Sequence, residues 1–384
     1  MKCQRSKFQL SKKTAFLNCA NMGPLMKKVV KAGRKGIARK CQPNKITGED
    51  FFREVNTLKV LFSKLINNPD PNRISIIPSV SYGIATVAKN ISLKKGEKVI
   101  VTEAQFPSNI YAWKSLCQKS DGELITVPAP KTTDNRGKKW NAAVLKAIDK
   151  NTKVVAIGNV HWSDGTLFDL MAIRKKTTTV GAALIVDGTQ SIGALPFDLQ
   201  SIQPDALIVA GYKWLMGPYS NGLAYFGSMF DDGDPIEYSW INRKDSDKFS
   251  HLVNYEDEFQ EKAIRYDMGE KSNFILNPML IESLKQVNKW GPENIQEYCK
   301  NLIAQPVEEI KKLGYYIEDS ALRSAHIFGV KIPKGKLENV QKALKHHRVA
   351  VSFRGDFVRV SPHLYNDERD MKKLVKAFKM AISN

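Results

Sequence analysis

A chain of 384 residues, 42% hydrophobic and 26% charged, has the balance of a globular protein with a large core, and its length predicts two domains. Its five cysteines (Cys3, Cys19, Cys41, Cys117 and Cys299) are scattered without CxxC or Cys/His spacing, which excludes a disulfide framework and a zinc site and predicts no bound metal. The net charge of +20 raises nucleic acid or an anionic membrane as partners, but the lysines are spread along the chain, and the one concentrated run, residues 27–40, has no interleaved aromatics. That pattern reads as a solvated surface and against nucleic acid as the main partner. No apolar run approaches the roughly 18 residues of a membrane span, and the lysine-interrupted N-terminus lacks a signal-peptide core. A cytoplasmic protein is expected.

From about residue 73 to 227 the chain alternates short apolar runs with helical periodicity. RISIIP, KVIVTE, ELITVPAP, TKVVAIGNV, AALIVDG, DALIVAG and NGLAYFG read as seven strands; IATVAKNI, NIYAWKSLCQK, NAAVLKAIDK and FDLMAIRKKTTTV read as crossover helices. This order predicts an α/β fold with a mostly parallel sheet covered on both faces. After it come two amphipathic helices (PMLIESLKQVNKWG, PENIQEYCKNLIAQPVEEIKKLG), short strands at HIFGVKIP, VAVSFRG and FVRVSP, and a closing helix, ERDMKKLVKAFKMAIS. The expected organisation is an N-terminal segment (1–50) packing partly with the small domain, a large domain (51–270) and a small α+β domain (271–384).

The strands AALIV and DALIVAG end in Asp187 and Lys213. Read alone, Asp187 opens a DG turn and Lys213 is a surface lysine. Together, a carboxylate and a lysine at the carboxyl ends of buried strands occupy the ligand edge of an open α/β sheet. That pair suits pyridoxal phosphate, with the amine for its aldehyde and the acid for its pyridinium nitrogen. The turn PSVSYG (78–83) joins a strand to a helix and presents a helix N-terminus with hydroxyls, an anion site.

VDGTQSIGALPFDL…GYKWLMGPYSNGLAYF resembles the cofactor-lysine region of the class V aminotransferase family, a pyridoxal phosphate fold type I group that includes cysteine desulfurases, selenocysteine lyases, isopenicillin N epimerase and kynureninases. The resemblance runs from about Phe16 to the C-terminus. It implies that Lys213 carries the cofactor and shuttles protons, that Asp187 meets the pyridine nitrogen, and that Gln190 meets the phenolic oxygen. Ser81, Tyr82 and Gly83 fall on the family's phosphate turn, and Tyr212 reaches the phosphate through its hydroxyl where the family commonly has histidine. Phe106 of QFPSN stacks on the ring, and Trp162 of NVHWSDG lies by the cofactor; Asn159 replaces the family's histidine there, and His161 reads as a solvated loop residue. Ala210 replaces a serine that often contacts the phosphate. RYDMGEKSN (265–273) aligns with the segment that crosses to a partner's site, so Gly269 and Ser272 imply a homodimer with shared active sites. Arg359 of FVRVSP holds the substrate α-carboxylate, with Arg354 as a second candidate that reads as exposed and structural.

Family desulfurases use a cysteine shortly before this arginine strand, and residues 300–384 contain none. The expected activity is aminotransferase-like, on an amino acid. Epimerisation or lyase chemistry is the alternative within the family; a basic nucleic-acid-binding or non-catalytic protein is the alternative outside it.

Overall fold

The fold is taken from a computed structural model that describes residues 1–383. In chain order the elements are β1 (Ala15–Phe16), α1 (Lys27–Lys40), α2 (Asp50–Leu65), β2 (Ile74–Ile77), α3 (Val80–Lys89), β3 (Lys98–Thr102), α4 (Tyr111–Ser120), β4 (Glu123–Val127), α5 (Arg136–Ala147), β5 (Thr152–Gly158), α6 (Leu170–Val180), β6 (Ala183–Asp187), α7 (Leu199–Ile202), β7 (Ala206–Ala210) and β8 (Gly222–Phe226). Then follow α8 (Leu276–Trp290), α9 (Pro292–Lys312), β9 (Phe328–Lys331), α10 (Leu337–His346), β10 (Val349–Ala350), β11 (Ser352–Arg354), β12 (Phe357–Val360) and α11 (Glu368–Ser383).

The seven expected strands form one sheet in the order β2-β8-β7-β6-β5-β3-β4. Strand β8 is antiparallel to both its neighbours, and the other six run in one direction. Strand β7 is buried at every position, because helices cover both faces and each side chain enters one of two cores. The chain runs outward from β3 to β4, then returns to β5 and continues through β6 and β7 the other way. The carboxyl ends of β3 and β5 therefore flank a topological switch point, where open sheets form a crevice.

Strand β12 pairs antiparallel with both β11 and β9 in a separate three-stranded sheet. Strand β1 pairs with β10, and the Cys19 N–H donates to Ser361 O, which joins the N-terminal segment to this small sheet region. Helix α8 packs against α1 and α2, and its Leu280, Leu284 and Val287 share a core with the large sheet. By packing it belongs with the large body, although it follows the boundary expected at residue 270.

Helix α3 begins earlier than its periodicity predicts. The Ser79 hydroxyl accepts the Tyr82 N–H at 3.2 Å, which caps the helix and draws 80–83 out of the expected loop into its first turn.

Candidate active site

The carboxyl ends of β2, β3, β5, β6 and β7 and the start of β8 enclose a cavity of about 250 Å³. Ser81, Phe106, Trp162, Asp187, Gln190, Tyr212 and Lys213 all line it. Residues up to 132 positions apart meet here because parallel strands bring successive chain returns to the same sheet edge.

Lys213 is buried, at 5% exposure. Its ammonium forms no ion pair among the described residues, and Nζ stands 5.0 Å from the Phe106 ring centroid and 5.5 Å from that of Tyr212. Burial lowers its pKa to about 8; Asp187 acts in the opposite sense, while Arg359 and Arg354 lower it further. Enclosure raises the Asp187 pKa, opposed by hydrogen bonds from Thr189 and by the Lys213 charge. The Thr189 N–H donates to Asp187 Oδ1 at 3.0 Å, and the Thr189 hydroxyl accepts the Ala210 N–H at 3.2 Å. Thr189 therefore ties the ends of β6 and β7 together beneath the two reactive groups. The sequence reading missed it, although DGT marks an Asx turn.

The lowered Lys213 pKa has a sign. Between about 8 and the ordinary 10.5 the unfolded chain holds this proton and the folded chain does not, so stability rises with pH through that window. Below pH 8 both states hold the proton, and the full burial cost remains. In cofactor-free protein, Lys213→Met should therefore be more stable than wild type at pH 7, by on the order of 2–3 kcal/mol. The gap should shrink as pH rises from 8 to 10. Urea unfolding at each pH measures it; a gap independent of pH would refute the buried, protonatable amine.

Three of the expected phosphate-turn residues separate. Ser81 lines the cavity, with its hydroxyl 2.9 Å from that of Ser79. Tyr82 and Gly83 do not line it. The Gly83 N–H donates to Ser79 O within the helix, and a Cβ there would meet Ile208 Cγ2 at 2.8 Å. Gly83 is thus a helix–sheet packing glycine, and the open amides at this end belong to Val80 and Ser81. Ser79, the cap, was not singled out from the sequence.

Gln190 reaches the cavity with half of its side-chain hydrogen-bonding capacity spent. Its Nε2 donates to Ala20 O at 3.1 Å, and its Oε1 accepts Trp214 Nε1–H at 2.9 Å. His161 corrects the expectation of a solvated loop residue: it is 4% exposed, lines the cavity and packs against Trp140, ring centroids 4.8 Å apart. Its Nδ1 lies 2.9 Å from Ser163 Oγ and 3.4 Å from Asp164 Oδ1. Sequence periodicity could not find this, because the tight turn 161–166 closes back on itself through His161 N–H to Thr166 O. Trp162 stands edge-on to Phe106, centroids 5.3 Å apart, and its Nε1–H donates to Ala104 O at 2.5 Å. Ala104, Met216 and Ser220 hold φ of +51°, +54° and +61° beside the cavity, the strain expected where a fold fixes a site.

Gly269 and Ser272 lie outside this cavity. The Gly269 N–H donates to Glu237 Oε2 and the Ser272 hydroxyl to Phe51 O, so both groups are engaged within the chain. Arg359 and Arg354 do not line the cavity itself; their Cζ atoms stand 5.8 and 5.0 Å from the Trp162 indole centroid, and both charges act on Lys213. Arg359 is 1% exposed. Arg354, expected to be exposed, is half-buried.

The donor set matches pyridoxal phosphate: an amine without an ion-pair partner, an enclosed carboxylate, a flat apolar wall, and a helix N-terminus with two hydroxyls for an anion. The family described as Aminotransferase class-V matches residues 44–374. An uncharacterized aminotransferase of Bacillus subtilis is 24% identical over 82% of this chain and 80% of its own length. A probable cysteine desulfurase of Pyrococcus abyssi is 24% identical over 74% and 69%. Among solved structures, the cysteine desulfurase CsdA of Escherichia coli superposes with a TM-score of 0.82 at 17% identity, covering 99% of this chain and 97% of that one. The cystine C-S lyase C-DES, in complex with cysteine persulfide, gives 0.82 at 18%, covering 96% and 98%. With its sheet, its strand-end lysine and carboxylate, and this match over most of its length, the chain belongs to the class V aminotransferase family of pyridoxal-phosphate-dependent enzymes.

Proposed function

We propose that the protein transfers the amino group of an amino acid, with Lys213 as the base that moves the proton. The observation that carries this reading is the buried Lys213 amine, without an ion-pair partner at a strand end and held at a pKa of about 8. Pyridoxal phosphate, when bound, supplies an aldehyde that captures amines and a ring that accepts electron density from the carbon bearing the amino group. Asp187 would hold the ring nitrogen, and Phe106 would give the ring a flat wall. Ser79, Ser81, the open amides of α3 and the Tyr212 hydroxyl would hold the phosphate, with Trp162 and the spare Gln190 N–H alongside. Lys213 would take a proton from the substrate α-carbon and return it on the other side of the amino nitrogen, at the carbon that had been the cofactor's aldehyde, and a pKa near the working pH serves both directions.

Several relatives are named cysteine desulfurases. That chemistry needs a thiolate beside the substrate. Cys19 is within electrostatic reach of Lys213, but burial pushes its thiol up to about 12, so it stays protonated and unreactive. Amino transfer is therefore favoured over sulfur transfer, while epimerisation and lyase chemistry share the same first proton removal. The test incubates the loaded enzyme with single amino acids and measures conversion of the cofactor to pyridoxamine phosphate together with the oxo acid formed. No conversion with any amino acid overturns amino transfer.

Arg359 would fork the substrate α-carboxylate. Arg359→Lys keeps the charge and loses the two-pronged geometry, so amino-acid binding should weaken about tenfold to a hundredfold. The spectrum of the enzyme without substrate should not change. Spectral titration with amino acid reads the affinity, and an unchanged value removes Arg359 from the substrate site.

A homodimer is the proposed working unit, its second copy closing the site through 265–273. Tyr219, Tyr238, Trp240 and Tyr255 are exposed in the same part of the chain, which suits a surface that a second copy would cover. Sedimentation should give a dimer at micromolar concentration, and a monomer with full cofactor occupancy would contradict it.

A further inference from the structure

Two arginines share one face of the β11–β12 hairpin with no acid to meet them. Ser352 sits opposite Arg359 in the antiparallel register, and Arg354 lies two residues further along β11. The two guanidinium groups are therefore diagonal neighbours on the same side of the small sheet, and both contact the Trp162 indole. Neither forms an ion pair among the described residues, and the Nε of each is enclosed without a hydrogen-bond partner. Their contacts are all to neutral groups. Arg359 donates to Trp162 O at 2.9 Å and to Ser352 Oγ at 3.5 Å; Arg354 donates to Phe353 O at 2.7 Å and to Asn21 Oδ1 at 3.4 Å.

This arrangement is costly in the free protein. A buried cation without a counter-ion loses hydration that hydrogen bonds to neutral groups replace only in part, and like charges at diagonal positions repel. Burial and the Arg354 charge both lower the Arg359 pKa, yet a guanidinium does not release its proton in a protein. Lys213 can shed a similar cost by losing its proton once the pH passes about 8, and the arginines have no such route. One bound carboxylate would neutralise one of the two and leave the other unmet. Each planar fork matches a carboxylate, and because both contact one indole, a single short diacid reaches both.

We infer that the substrate is dianionic: an amino acid whose side chain carries a second carboxylate, with its α-carboxylate on Arg359 and its side-chain acid on Arg354. The inference rests on the amino-acid reading above and adds the substrate class to it. Arg354 becomes a specificity residue, in place of the surface role that its sequence position implied.

Unreactive acids test it in the enzyme loaded with pyridoxal phosphate. Glutarate and pentanoate have the same carbon count and differ in the second carboxylate. Isothermal titration at fixed salt should give glutarate at least tenfold tighter binding than pentanoate. Arg354→Gln should bring glutarate down to the pentanoate level and leave pentanoate within about twofold. Arg359→Gln should weaken both acids. Equal affinity of the wild type for the two acids overturns the inference and needs no variant, so a misfolded mutant cannot hide it. An Arg354→Gln protein that loses both acids equally also overturns it, because Arg354 would then support the site without choosing the substrate. If pentanoate binds and weakens on Arg359→Gln while glutarate gains nothing, the amino-acid reading stands and only the dianion falls. If neither acid responds to Arg359→Gln, the amino-acid reading falls as well.

Discussion

Lys213→Ala is expected to leave a folded protein that no longer holds pyridoxal phosphate covalently and turns over at least 10²–10⁴-fold more slowly, the range set by loss of a positioned proton-transfer group. The expectation follows from the amine's surroundings. It is nearly enclosed, close to the Phe106 face, and free of ion-pair partners among the described residues. Burial lowers its pKa to about 8, so an appreciable neutral fraction is present near pH 7–8, and a neutral amine is the form that attacks a carbonyl. Lys59, on α2, is also buried with a pKa lowered to about 8, but it donates to Asp267 Oδ2 at 2.8 Å and lies outside the cavity. Borohydride reduction followed by peptide mapping should label Lys213 alone in the wild type and no lysine in the variant. A label on Lys59 or any other lysine would sink the assignment. Folding should survive, because alanine removes a buried charge whose cost Asp187 offsets only in part.

Asp187→Asn should keep most of the cofactor and lose turnover by roughly 10²–10³-fold, the scale seen when one preorganised electrostatic group is removed from an active site. The Thr189 N–H donates to Asp187 Oδ1, and an asparagine oxygen accepts the same bond, so the side chain should keep its place. What is lost is the negative charge at the end of β6, which favours a protonated ring nitrogen and makes the ring a better electron acceptor. The same charge acts on Lys213 and opposes the lowering of its pKa. Its removal should move the acidic limb of the pH–rate profile to lower pH at the same time, because Lys213 acts as the neutral base. The rate, the cofactor occupancy and that limb are three separate readouts. Near-normal turnover would mean that catalysis does not depend on a charge at this position; a tenfold or greater loss of cofactor would mean that Asp187 holds the group rather than tuning it.

The sequence by itself determined the large sheet and its two reactive ends. Each of the seven runs is a short, nearly continuous apolar stretch, because strands covered by helices on both faces have no polar side to show, and Asp187 and Lys213 stand where those runs stop. Local composition carries that information without any partner. The family resemblance rests on the same stretches, and for the same reason it is legible at low identity.

Other features were decided only when distant segments met. His161 sits in a polar loop by sequence, and it is buried because Trp140 and Phe168 close over it. Gly83 matches an anion-binding turn by motif, but the Ile208 and Ile77 side chains under α3 leave no room for a Cβ, and the Gly83 N–H already donates to the Ser79 carbonyl within the helix. Gln190 matches a cofactor contact, yet Ala20 and Trp214, 170 positions upstream and 24 downstream, take its amide first. Arg354 and Arg359 are five positions apart in the chain, and nothing in that spacing says they face the same way. The antiparallel register of β11 and β12 does so, by setting Ser352 across from Arg359. Hydropathy reports how a residue's neighbours in sequence partition. Whether a charged or polar group ends with a partner depends on which segments fold against it, and that was decided by the tertiary structure.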